Sequence, residues 1–154
     1  MEYQVRTARI TDIDRIVALG DDVLRAARGA GPMDAAGLLR QLVYLPQASI
    51  FVAEVRREVV GGAILSLRPS VTAGGYVGTV DLLVIDPEHD MDRITDALLE
   101  EVLRSARNKG CAVVEAARPD DPADRARWER QGFSDASPLI NCSVAAVGAT
   151  ARRA

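Results

Sequence analysis

The chain carries one histidine in 154 residues, a scarcity that removes multi-histidine zinc and iron centres from consideration. Its two cysteines, Cys111 and Cys142, have no Cys-x-x-Cys spacing, so neither a thiolate metal knot nor a redox pair is encoded. Both stand in apolar, strand-like surroundings and read as small core residues. No apolar run approaches the length of a membrane span, and the opening MEYQVRTARITD holds no signal-peptide core. A cytoplasmic protein away from any membrane is the expectation. Positive charge is short too: a net charge of -3 leaves no basic surface for a nucleic acid, whose binding depends on counterion release. There is no Gly-x-Ser-x-Gly elbow, so His89 has no nucleophile to serve and reads as a solvated loop residue. No metal is expected.

What the chain does have is length and pattern. Its size suits one domain with a self-sufficient core, expected over 1–144, while 145–154 lacks periodicity and reads as a disordered tail. Tyr3 to Arg9 alternates in part and predicts a first strand. Thr11 followed by Asp14 looks like a capping box, and Ile13, Ile16, Val17, Val23 and Leu24 continue one helical face. The segment RGAGPM breaks that helix, and Asp34 to Leu45 predicts a second, ended by Pro46. SIFVAEV and VVGGAILSL, around a turn at Arg56-Arg57-Glu58, predict a hairpin in which Gly61-Gly62 marks a bulge or a close backbone approach. Tyr76 to Ile85 then returns antiparallel.

The chain is organised around Asp81 to Gly110. Leu82, Leu83, Val84 and Ile85 form a continuous apolar run stopped by Asp86-Pro87, the pattern of a strand covered on both faces. Ile94, Leu98 and Val102, with Leu99, Leu103 and Ala106, then recur at helical spacing, and Lys109-Gly110 closes the helix. A strand that feeds a helix through a loop leaves unpaired N–H groups converging on one spot, where a phosphate can sit. CAVVEAA next predicts a strand parallel to its predecessor. Asp121 caps a helix with Pro122 first and Asp124 third, and Leu139 to Val144 predicts a last strand.

This arrangement resembles the GNAT N-acetyltransferase superfamily, on two stretches. The first is the strand ending in Asp-Pro with the loop HDMDRIT and its helix; the second is DDPADRARWERQGF, where Pro122, Glu129, Gly132 and Phe133 match. The resemblance implies an α+β fold, with a mixed, mostly antiparallel sheet of six to seven strands flanked by about four helices. It implies acetyl-CoA as acyl donor, an amine acceptor of unknown identity, and pairing into a homodimer through edge strands. By the same resemblance, the backbone of Leu83, Val84 and Ile85 would meet the thioester arm. The loop Asp90, Met91, Asp92, Arg93, Ile94 and Thr95 would meet the diphosphate, with Asp121 and Trp128 near the thiol. Asp81, on the strand before the loop, matches the position of the family's general base.

The loop departs from the pattern. Asp90 stands where Gln or Arg is usual, Arg93 and Thr95 where glycine or alanine is usual, and Trp128 replaces a tyrosine. Arg and Thr tolerate positive φ poorly, and Asp90 and Asp92 bring negative charge to an anion site. An indole N–H is no proton donor for a thiolate. Asp92 could also cap the helix and use up its N–H groups. Two functions therefore stand side by side: an N-acyltransferase with an unusual phosphate loop, and a silent GNAT-fold binding or regulatory protein that does not use acetyl-CoA.

Overall fold

Alternating apolar residues build one sheet in the order β1 (Gln4–Thr7), β2 (Ala48–Val55), β3 (Glu58–Ser70), β4 (Gly75–Ile85), β5 (Cys111–Ala116). The structure, a computed structural model, describes residues 2–29, 31–136, 140 and 142. Neighbouring strands are antiparallel except β4 and β5, which are parallel because helix α4 (Met91–Asn108) carries the chain back between them. One sheet face packs against α1 (Ile13–Leu19) and α3 (Ala35–Leu42), burying Ile13, Ile16, Leu39, Ile50, Val52, Ile64 and Val84. The other packs against α4 through Phe51, Ala53, Val60, Leu65, Val80, Ile94, Leu98 and Val102. Helices α2 (Asp21–Ala27) and α5 (Pro122–Arg130) are peripheral and bury no residue fully. Among the described residues no helix is long and apolar enough to cross a membrane.

The sheet has five strands among the described residues and the helices number five, against an expectation of six to seven strands and about four helices. The predicted strand from Leu139 to Val144 and the tail 145–154 lie outside the described residues, apart from Ile140 and Cys142. The extra helix comes from a split: the first predicted helix divides at Gly20, where an added Cβ would stand 2.8 Å from the Val84 side chain. Bringing the chain that close to the sheet excludes a side chain there, and the glycine weakens helix continuation. The Thr11 and Asp14 capping pair does not form. Asp14 instead reaches Arg40 at 2.8 Å, and the turn entering α1 is held by Asp12, which accepts the Arg9 N–H at 2.7 Å and Arg6 Nη1 at 2.8 Å. The second helix starts as expected, Asp34 accepting the Gly37 N–H at 2.6 Å, but stops at Leu42.

Neither cysteine is in the core. Cys142 is exposed, and Cys111 is half-buried at the first position of β5, where burial pushes its thiol up while Lys109 pulls it down.

The β2–β3 turn places two bulky residues in left-handed backbone, Arg56 at φ 52° and Arg57 at φ 66°. A tight hairpin turn of this hand favours Asn-Gly, and each arginine is penalised by contact between its Cβ and the carbonyl. Replacing the pair by Asn-Gly should raise stability by about 1–2 kcal/mol, read as a higher urea midpoint. An unchanged midpoint would mean the turn is relaxed in solution.

β3 and β4 each carry one extra residue. Ala53 faces Gly61 while Glu54 faces Val59, leaving Val60 without a partner on β2, so the Gly-Gly signal did mark a bulge. On β4, Ile64 faces Leu82 while Leu65 faces Val80, leaving Asp81 as the additional residue. That insertion reverses the strand's alternation. Val80 belongs to the α4 core, Leu82 packs on the α1 side, and Leu83 is back on the α4 side.

Candidate functional site

The pairing of β4 with β5 runs from Tyr76–Cys111 to Val80–Ala116 and ends there, immediately before the Asp81 bulge. Beyond it β4 continues to Ile85 with, among the described residues, β3 on one side only. Which backbone groups face the open side follows from the ladder. The Asp86 N–H donates to the Val60 carbonyl at 2.8 Å, and bonds alternate along an antiparallel pair, so Val84 and Leu82 also face β3. Leu83 and Ile85 therefore present their N–H and carbonyl groups to the gap between β4 and β5. Of the three backbone positions expected to meet a thioester arm, these two offer donors, while Val84 spends its backbone on β3 and its side chain on the α1-side core.

Asp81 stands at the mouth of this gap and is exposed, with no side-chain hydrogen bond or ion pair among the described residues. The bulge turns it outward, away from the apolar run that follows it.

At the far end of β4 the chain enters α4 through Asp86 to Asp90. Asp86 accepts the Glu88 N–H at 3.0 Å, fixing the turn, and the Asp90 N–H donates to the Tyr3 hydroxyl at 3.3 Å. Asp90 is the helix N-cap, its carboxylate accepting the Arg93 N–H at 3.1 Å. Asp92 does not cap the helix; its carboxylate turns sideways to Arg127. Met91 and Asp92 occupy the first two helical positions, whose N–H groups have no intrahelical acceptor. Ile94 and Thr95 point inward, at 0% and 1% exposure, so their side chains belong to the core and only their backbone could meet a ligand.

The residues that sequence reasoning missed lie on α5. Arg127 Nε donates to Asp92 at 2.7 Å and its Nη1 to Asp124. Arg130 Nη2 donates to Asp96 at 2.9 Å and to the Asp92 carbonyl at 3.3 Å, while Gln131 donates to Asp96 at 2.9 Å. The hydrogen bond from Arg127 holds the Asp92 carboxyl below the usual carboxylate range, slight burial opposing and the charges of Arg127 and Arg130 assisting. The acidic first turn of α4 is thus neutralised from the neighbouring helix. A readable signal existed: Asp92 and Asp96 lie one helical turn apart, as do Arg127 and Arg130, so each pair shares a face.

Asp121 and Trp128 have structural employment. Asp121 caps α5 by accepting the Asp124 N–H at 3.1 Å, and Trp128 packs edge-on against Phe133 with ring centres 4.9 Å apart. Trp128 also lines a hollow of about 980 Å³ with Val113, Glu115, Arg118 and Phe133. That hollow wraps β5, the last strand in the sheet order, and includes none of Asp81 to Ile85. It shares Thr79, Glu115 and Ala116 with the end of the β4–β5 ladder, next to the point where the gap opens.

Glu58, Asp86 and His89 bring ligand-type atoms within 4.8 Å of one another. Arg15 lies between the two carboxylates, 3.5 Å from Glu58 and 3.1 Å from Asp86, and already supplies the positive charge. The cluster is an ion-pair knot that ties α1 to the end of β4. His89 is half-buried, edge-on to the Tyr3 ring at 6.2 Å, where a solvated residue was expected.

The sequence matches the family model described as acetyltransferase (GNAT) family over residues 16–133. No curated protein matches it. Solved structures do. An integron cassette protein from the mobile metagenome of Cole Harbour Salt Marsh is 26% identical with a TM-score of 0.77, the match covering 92% of this chain and 91% of that one. A ribosomal-protein-alanine N-acetyltransferase from Brucella melitensis biovar Abortus is 18% identical with a TM-score of 0.72, covering 92% and 99%. An aminoglycoside acetyltransferase from an uncultured soil metagenomic sample is 13% identical with a TM-score of 0.73, covering 92% and 94%. The last two likenesses concern the fold alone.

Proposed function

The chain belongs to the acetyltransferase (GNAT) family, and from that premise we propose that it transfers an acetyl group from acetyl-CoA to an amine. The observation that carries this reading is the β4 bulge at Asp81, after which β5 stops pairing and Leu83 and Ile85 turn unused backbone groups into the gap. Such a gap accepts an extended arm carrying amides, because it presents alternating donors and acceptors as a strand would. The gap leads to the start of α4, where the Met91 and Asp92 N–H groups and the positive end of the helix dipole favour a diphosphate. Arg127 and Arg130 supply cationic charge beside that point. The residues present therefore fit acetyl-CoA despite the loop's lack of glycine.

When bound, acetyl-CoA supplies an activated acyl carbon. The chain's own contribution is positional and electrostatic: the Leu83 and Ile85 N–H groups are the donors available to an acyl oxygen as negative charge gathers on it. Asp81, exposed at the mouth of the gap, is the carboxylate placed to accept the acceptor's proton, directly or through a water. Trp128 carries no transferable proton and serves packing. An amine acceptor is consistent with the N-acetyltransferase among the fold relatives.

The first test is calorimetric titration with acetyl-CoA, paired with a thermal melt. Ligand at about a hundred times its dissociation constant should add roughly 2.7 kcal/mol to stability. No heat and no melting shift at millimolar acetyl-CoA would end the acetyl-transfer reading. With binding established, Asp81→Asn should lower turnover at neutral pH by about a hundredfold while leaving acetyl-CoA affinity unchanged. Equal turnover would remove Asp81 from the mechanism.

A further inference from the structure

The first turn of α4 lacks the glycines that would let a loop wrap an anion, yet two guanidinium groups reach it from α5. Resting on the acetyl-transfer reading, we propose that Arg127 and Arg130 are the anion receptors of this site. In the free protein Asp92 and Asp96 hold them in reserve, and they exchange these carboxylates for the diphosphate of the incoming donor.

Four features support the exchange. Arg127 is the most confined member, its side chain only 18% exposed and fixed by both Asp92 and Asp124, so little further ordering is needed to grip a ligand. Asp92, by contrast, is 57% exposed and can swing into water once released. Its partners reach the first α4 turn, Arg127 at the Asp92 carboxylate and Arg130 at the Asp92 carbonyl, so both guanidinium groups stand on the turn whose helix start favours an anion. Finally, the competition favours the ligand. Exposed carboxylate pairs hold weakly, whereas a diphosphate carries more charge and accepts the arginine fork at two oxygens at once. The substitution of glycine by Arg93 and Thr95 in the loop is thereby offset from a second helix.

The experiment compares the wild-type chain, Arg127→Gln/Arg130→Gln and Asp92→Asn/Asp96→Asn in calorimetric titrations with acetyl-CoA and with S-acetylpantetheine, the same thioester arm without the diphosphate. Each variant is first melted to confirm a cooperative fold. The arginine variant should lose acetyl-CoA affinity by about tenfold or more and keep that for S-acetylpantetheine. The asparagine variant, with its competitors neutralised, should gain several-fold for acetyl-CoA alone. If the asparagine variant binds acetyl-CoA no better than wild type, the reserve is overturned, even where the arginine variant does not fold. If the arginine variant keeps full affinity, or loses both ligands equally, the receptor role is overturned. A wild-type chain that binds neither ligand refutes the acetyl-transfer reading itself, an outcome distinct from these.

Discussion

Gly61→Val should destabilise the protein by about 3 kcal/mol and abolish the proposed acetyl-CoA binding in whatever fraction stays folded. The sheet and α4 meet most closely at this glycine. A Cβ placed there would stand 2.8 Å from the Ile94 Cγ2, 3.1 Å from the Val84 carbonyl oxygen and 3.2 Å from the Leu98 Cδ1. None can yield cheaply: Ile94 and Leu98 are fully buried, and the Val84 oxygen belongs to the backbone of the neighbouring strand. The branched valine must push either β4 or the first turn of α4 outward, and the proposed site lies between those two. Gly62→Ala is the matched control, since its Cβ would meet the Ile16 side chain at 3.3 Å on the opposite face, away from α4. Urea denaturation and calorimetry on the two variants distinguish local strain from loss of the site. A Gly61→Val protein with wild-type midpoint and affinity would mean that α4 is not clamped to the sheet at Ile94.

That contact was half visible in the sequence. Gly61-Gly62 within an apolar strand signals either a bulge or a close approach, and the structure uses the pair for both, with Val60 skipped by β2 and α4 seated on Gly61. The stripe of Ile94, Leu98 and Val102 was legible because helical periodicity survives burial on one face. The bulge at Asp81 was not. It is detected by a break in alternation, and Leu82 to Ile85 is apolar at every position because both faces are covered, so no alternation exists to break. The feature that opens the gap is therefore the one the sequence hides best.

The charges of the site were readable in kind but not in pairing. Asp90 and Asp92 looked like twin obstacles to an anion. The structure separates them, giving Asp90 to the α4 N-cap and Asp92 to Arg127. Local rules identify a cap, because the donor lies three residues away on the same chain. They do not identify a partner 35 residues away on another helix, which depends on how α5 docks. The same limit concealed Asp12, which has neither helical spacing nor a motif, and which tertiary contacts alone make important.

Asp12→Asn is the second substitution with a large expected effect, about 3 kcal/mol of lost stability at neutral pH. Asp12 is 8% exposed and accepts three bonds, from the Arg9 N–H at 2.7 Å and from Arg6 at 2.8 and 3.2 Å. An amide of the same shape keeps one acceptor but turns an NH₂ toward donors. Arg6 would not be abandoned, since Glu54 still accepts its Nε at 3.1 Å, which keeps the loss below that of a fully orphaned buried charge. The pH dependence separates this explanation from simple packing. Burial alone would raise the Asp12 carboxyl, but the hydrogen bonds from Arg6 and the Arg9 N–H outweigh it and hold the group below its ordinary value. A lowered carboxyl contributes stability in full above the unfolded value, near pH 4, and loses it as pH falls through the folded value. The wild-type urea midpoint should therefore drop more steeply below about pH 4 than that of Asp12→Asn, and the two curves should converge in acid. Parallel curves would mean that Asp12 holds the β1–α1 turn by shape rather than by charge.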